Sequence, residues 1–112
     1  MDMDIKEQYE DLTRKLKEVV PFTALPIREL VQELRKKGQA ITLKTELTVK
    51  DVYNSGDING IVCVTEQRED DALACGLTHL IVSHKHPLYR EIIDYQKKRN
   101  KRIQKLNQMD WN

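Results

Sequence analysis

Residues Leu47 to Gly60 read "LTVKDVYNSGDING", and the conformation of this stretch decides how the sheet of the protein is built. Thr48, with Asp51 three residues on, is a capping arrangement that predicts a short helix through Tyr53, closed by Asn54, Ser55 and Gly56. The neighbouring residues carry a competing signal. Ile41, Leu43, Thr45, Leu47 and Val49 alternate without a break, which suits one long strand returning through Asn59 and Gly60 as a hairpin. The helix is the preferred reading and makes the first strand pair parallel, whereas the strand makes it antiparallel.

On the N-terminal side the signals are helical. Ile5, Tyr9, Leu12, Leu16 and Val19 recur at steps of four and three, giving one apolar stripe that Pro21 ends. "PFTALP", residues 21–26, reads as a connector. Ile27, Leu30, Val31 and Leu34 trace a second helical face that ends in "RKKG", residues 35–38, where positive charge meets the free carbonyls and Gly38 tolerates a left-handed turn. "QAITLKTE", residues 39–46, alternates as a strand.

On the C-terminal side "GIVCVTE", residues 60–66, is a strand apolar on both faces, as helices on both sides of a sheet require. "REDDALACG", residues 68–76, reads as a short helix with an acidic first turn, and "LTHLIVS", residues 77–83, as the next strand. A strand, a helix and a strand make a right-handed unit with parallel strands. Pro87 suits the first position of a last helix, with Leu88, Ile92, Tyr95, Ile103 and Leu106 on its inner side. The expected fold is thus a small three-layer α/β domain: a three- to four-stranded, mainly parallel sheet with flanking helices and a long basic C-terminal helix. Residues 1–112 form a single domain in this reading, with 1–4 and about 107–112 disordered.

A chain of 112 residues can bury one core without disulfides or metal. The acidic start "MDMDIKEQYEDL" lacks the apolar segment of a signal peptide, and no apolar run approaches the roughly 18 residues of a membrane span. Cys63 and Cys75 are too few for a disulfide framework and are not spaced as a metal knuckle. A cytoplasmic protein, away from membranes, is expected. The net charge of +1 conceals a division: residues 1–84 carry 11 basic and 15 acidic side chains, residues 85–112 carry 8 and 3. The body is mildly acidic and the C-terminal end is a basic arm.

Parallel strands would place their C-terminal ends along one edge, beyond which ligands of open α/β sheets bind. That crevice collects Lys44, Thr45 and Glu46, then Thr65, Glu66 and Arg68, then Ser83, His84, Lys85 and His86. His84 and His86, two apart on a strand, would share a face and could hold a metal with Glu66 or Cys63, or one could act as a base beside Glu66. Anion binding is the better motivated use, because Ser83, His84 and Lys85 with the start of the last helix offer donors and positive charge. No metal or cofactor is expected.

"TEQREDDALACGLTHLIVS", residues 65–83, is similar to the first motif of Toprim domains, the metal-dependent catalytic module of primases and topoisomerases, in Glu66 at a strand end and Asp70 four residues on. The family's glycine after the glutamate is Gln67 here, and no later Asp-x-Asp pair follows to hold magnesium. The likeness reads as convergence of a strand–helix–strand unit.

Three functions remain, in order. The first is a non-catalytic binding or regulatory module, a homo-oligomer or a protein partner joined through the first and last helices. The second is a small enzyme or phosphate-binding domain using Glu66, Arg68, Ser83, His84, Lys85 and His86. The third is a nucleic-acid binder, less favoured for want of interleaved aromatics, contacting phosphates through Lys97, Lys98, Arg99, Lys101, Arg102 and Lys105.

Overall fold

The computed structural model describes residues 5–66 and 72–109. The chain runs through α1 (Ile5–Lys17), β1 (Phe22–Pro26), α2 (Arg28–Lys36), β2 (Leu47–Asn54), the single-turn α3 (Gly56–Asn59), β3 (Ile61–Glu66) and β4 (Ala72–Gly76). A 3₁₀ turn (Leu77–His79), the two-residue β5 (Leu80–Ile81) and the long α4 (Tyr89–Met109) complete it. The residues expected to be disordered divide: 1–4 and 110–112 lie outside the described residues, whereas 107–109 belong to α4.

The expected parallel three-layer sheet is wrong. Five strands lie in the order β4-β3-β2-β1-β5, and every neighbouring pair is antiparallel. The deciding stretch is strand β2, not a helix. Leu47, Val49 and Val52 point into the core, and the switch of alternation falls at a bulge between Val49 and Asp51. Asp51 caps no helix; its Oδ1 accepts the N–H of Val52 at 2.8 Å. The chain then reverses through Gly56–Asn59 into β3, so the hairpin alternative is the one adopted. Its first strand starts later than the alternation implied, because residues 39–46 form a loop in which Thr42 and Thr45 bond each other's backbone. "PFTALP" is likewise no connector: Phe22, Thr23 and Ala24 pair with Val49, Thr48 and Leu47.

Residues 72–76 correct a second expectation. Ala72, Leu73, Ala74 and Cys75 favour a helix locally, yet they pair residue for residue with Glu66 back to Cys63. Strand pairing with β3, and burial of Cys75, outweigh a propensity worth only tenths of a kcal/mol per residue. Residues 68–71 of that expected helix, including Asp70 of the Toprim likeness, lie outside the described residues. "LTHLIVS" contributes only two residues to the sheet, and α4 starts at Tyr89, two residues past Pro87.

Connectivity forces the sheet to bend. β4 and β5 are its opposite edges but are joined by only Leu77–His79. Four residue steps span at most about 14 Å, while a flat five-stranded sheet is about 19 Å from edge to edge. The strands curl into a half-barrel, which brings the two edges within reach of one turn. Its inner face carries Ala24, Leu47, Val49, Val52, Ile61, Cys63, Thr65 and Cys75, all buried. Against this cluster pack Tyr9, Leu12 and Leu16 of α1, Leu30, Val31 and Leu34 of α2, and Ile92 and Tyr95 of α4. The apolar stripes of the first and last helices therefore meet in the chain's own core. Among the described residues no helix is long and apolar enough to cross a membrane.

Candidate functional site

The residues from Ser83 to His86 form a tight turn between β5 and α4, not the end of a parallel strand. Ser83 Oγ accepts the Lys85 N–H at 3.1 Å, and its carbonyl accepts the His86 N–H at 2.9 Å. His86 turns inward, where Nδ1 accepts the Leu88 N–H at 3.0 Å and its ring meets Phe22 edge to face at 4.6 Å. Its Nε2 is buried without a partner. Burial moves the imidazole pKa below its ordinary value, because a desolvated ring resists a second proton. His84 and Lys85 stay exposed. A shallow cavity of about 320 Å³ lies beside this turn, walled by His84, His86, Pro87, Tyr89, Arg90 and Glu91.

Glu66 is not part of it. It sits on β3, with β2 and β1 intervening before β5, and its carboxylate pairs with Lys50 at 3.3 Å. The possible pairing of Glu66 with His84 or His86 is not made in this fold, where Glu66 pairs with Lys50 and two strands stand between β3 and β5. Cys63 lies on the inner face directly opposite Cys75, and burial lifts the two thiols to about 12 and about 11. Thr65 is buried, donating to the Leu73 carbonyl at 3.1 Å. Arg68 lies outside the described residues. Among the described residues no three His, Cys, Asp or Glu side chains are grouped to hold a metal ion.

The basic arm is likewise divided. Arg99 is buried, only 3% exposed, and serves the fold: its Nη1 donates to the Asp57 carbonyl at 2.5 Å and its Nη2 to the Ile58 carbonyl at 2.6 Å. Arg102 forks onto the Asp57 carboxylate at 2.6 and 3.2 Å, which lowers the pKa of that acid. Lys98 pairs with Asp94 at 3.1 Å. Lys97, Lys101 and Lys105, four residues apart on exposed helix, are what the arm leaves for a phosphate chain.

A different cluster is better built. Arg28, Gln32 and Arg35 stand at i, i+4 and i+7 on the solvent side of α2, with Val31 between them. The loop that follows α2 folds back so that Thr42, Leu43 and Lys44 form a facing wall. Hydrogen bonds within the turn shape that wall: Thr42 N–H to Thr45 Oγ1 at 2.9 Å, and Lys44 N–H to Thr42 Oγ1 at 3.1 Å. Arg35 joins the walls, its Nε donating to the Ile41 carbonyl at 2.9 Å, while Ile41 itself is anchored in the core at 1% exposed. The groove between them encloses about 690 Å³.

Its electrostatics are one-sided. Three cations line it with no carboxylate in the wall, and none of the three makes an ion pair with another described residue. Like charges held in one concavity, against neighbours elsewhere that are paired, attract an anion. Of these residues the sequence marks only Lys44 as a candidate for a site, and for another crevice. The readable signal was the i, i+4, i+7 row of Arg28, Gln32 and Arg35, which is indistinguishable from an ordinary solvated helix face until the loop is seen to cover it. Comparison with protein-family models, with curated proteins and with solved structures finds no match for this chain.

Proposed function

We propose that this protein is a non-catalytic binding module for a small phosphate-bearing ligand, held in the groove between α2 and the Thr42–Lys44 turn. The observation that carries the reading is the set of Arg28, Arg35 and Lys44 in one wall-to-wall groove free of carboxylates. The Arg35 guanidinium keeps its two terminal nitrogens for a ligand, because only Nε is used by Ile41. That fork matches phosphate oxygens, and Lys44 adds a point charge. Binding without catalysis is favoured by the wall itself, which holds no histidine, cysteine or carboxylate from which a general base is drawn. The free thiols of Cys63 and Cys75 suit a reducing compartment such as the cytoplasm.

Charge contacts in an open groove give about 1 kcal/mol each in water, somewhat more for a fork, so inorganic phosphate or pyrophosphate is expected to bind with a Kd of the order of 1 mM. Calorimetric titration with pyrophosphate at low ionic strength tests this. Of two reversals at exposed positions, Lys44→Glu is expected to abolish the heat and Arg28→Glu, farther along the groove, to weaken it, and Lys97→Glu on α4 is expected to leave it unchanged. No binding at about 10 mM, roughly ten times the expected Kd, or binding that survives both reversals, discards the reading.

A further inference from the structure

The groove is not uniformly polar, and its apolar part points to the kind of phosphate it takes. Leu43 is 47% exposed in the wall opposite α2, where a side chain of that size gains nothing from water. Val31 lies across from it in the α2 wall, and the Gln32 side chain stands on the same face as the two arginines. The cations are also spread out. Arg28 and Arg35 are seven residues apart, about 10 Å along a helix axis, and the bond from Arg35 to Ile41 fixes its guanidinium at the loop that carries Lys44. Arg28 and Arg35 thus stand at the two ends of the α2 row with Val31 and Gln32 between them, and Lys44 lies on the facing loop three residues beyond the Ile41 that holds Arg35.

Resting on the proposed phosphate site, we infer that the ligand is a phosphate monoester of an aromatic or otherwise flat apolar body, with a nucleoside monophosphate as the type. The phosphate sits at Arg35 and Lys44. The flat body lies along Leu43 and Val31, within reach of the Gln32 amide, which can donate to or accept from a ring edge. Arg28 meets the distal end of the molecule by stacking or hydrogen bonding. Such a ligand uses six of the seven wall residues, whereas inorganic phosphate uses one end.

Calorimetry with adenosine and uridine monophosphates, adenosine, and inorganic phosphate decides between the two. The monophosphates are expected to bind at least about tenfold more tightly than inorganic phosphate, the gain from burying some 60 Å² of apolar surface. Leu43→Ala is expected to remove most of that advantage while leaving inorganic phosphate unaffected, and Lys44→Ala to weaken both. Equal affinity for inorganic phosphate and monophosphates overturns the inference and leaves the phosphate site standing. An advantage that Leu43→Ala does not reduce also overturns it. Failure of all phosphates to bind removes the proposed function as well.

Discussion

The guanidinium of Arg99 and the backbone of Asp57, 42 residues apart in sequence, are joined inside the protein by a 2.5 Å hydrogen bond to the Asp57 carbonyl. The same group reaches the Ile58 carbonyl at 2.6 Å and the Tyr9 hydroxyl at 3.3 Å. One side chain of α4 therefore ties together the turn between β2 and β3 and the helix α1. Arg102 adds a second, exposed contact to the same aspartate.

Removing Arg99 takes the donor from the Asp57 and Ile58 carbonyls and empties the space of a side chain only 3% exposed, so the cost exceeds that of an average hydrogen bond. Arg99→Ala is expected to lower stability by about 3 kcal/mol or more in urea unfolding, and Arg102→Ala by far less. Equal small losses from the two would show that water replaces the Arg99 contacts.

Gly60 lies beneath this cluster with φ +67°, and a β-carbon there would meet Tyr95 Oη at 2.5 Å and Arg99 Nε at 2.9 Å. Tyr95 is held in place by the Ile61 N–H, which it accepts at 2.8 Å. Gly60→Ala combines backbone strain with a clash against two fixed groups, so a loss of about 2–4 kcal/mol is expected, read as a lower midpoint of denaturation. Gly38→Ala, with a positive φ and open space around it, is expected to cost about 1 kcal/mol.

Protonation of His86 works against the fold. Its pKa in the native state lies below the ordinary 6.5, so the unfolded chain takes up the proton first as pH falls. The associated stability is fully present above about pH 6.5, declines as pH drops through that value, and levels off below the native-state value. His86→Asn keeps an acceptor for the Leu88 N–H and removes the titration. Urea unfolding from pH 7.5 to 5 is expected to show a smaller loss in the variant than in the parent; identical slopes would assign the effect elsewhere.

With native thiols raised to about 12 and about 11, Cys63 and Cys75 carry almost no thiolate at pH 8. A disulfide reagent is expected to label both in denaturant and to react with the native protein at least about a hundredfold more slowly, the fall in thiolate alone. Rapid native labelling at Cys75 would mean that β4 opens locally.

The alternation in Leu47, Val49 and Val52 was present in the sequence, but the bulge after Val49 shifts it by one residue, and a pattern broken at its centre yields to the capping signal of Thr48 and Asp51. Glu66 and His84 were separately visible as polar residues at strand ends. Their distance depends on strand direction, which no local signal reports, because parallel and antiparallel strands bury the same side chains and differ only in which backbone groups they satisfy.

By itself, the sequence determined the inner faces of α1 and α2, the burial of Ile92 and Tyr95 on α4, and the strand character of Ile61–Glu66, because burial of one stripe or one run of β-branched residues follows from a repeat within a single segment. Tertiary structure alone decided that residues 72–76 are a strand, that Arg99 is internal, and that Arg28, Arg35 and Lys44 share a groove. Each of these depends on a partner distant in the chain: the free edge of β3, the carbonyls of Asp57 and Ile58, and a loop held against α2 by the Arg35–Ile41 bond.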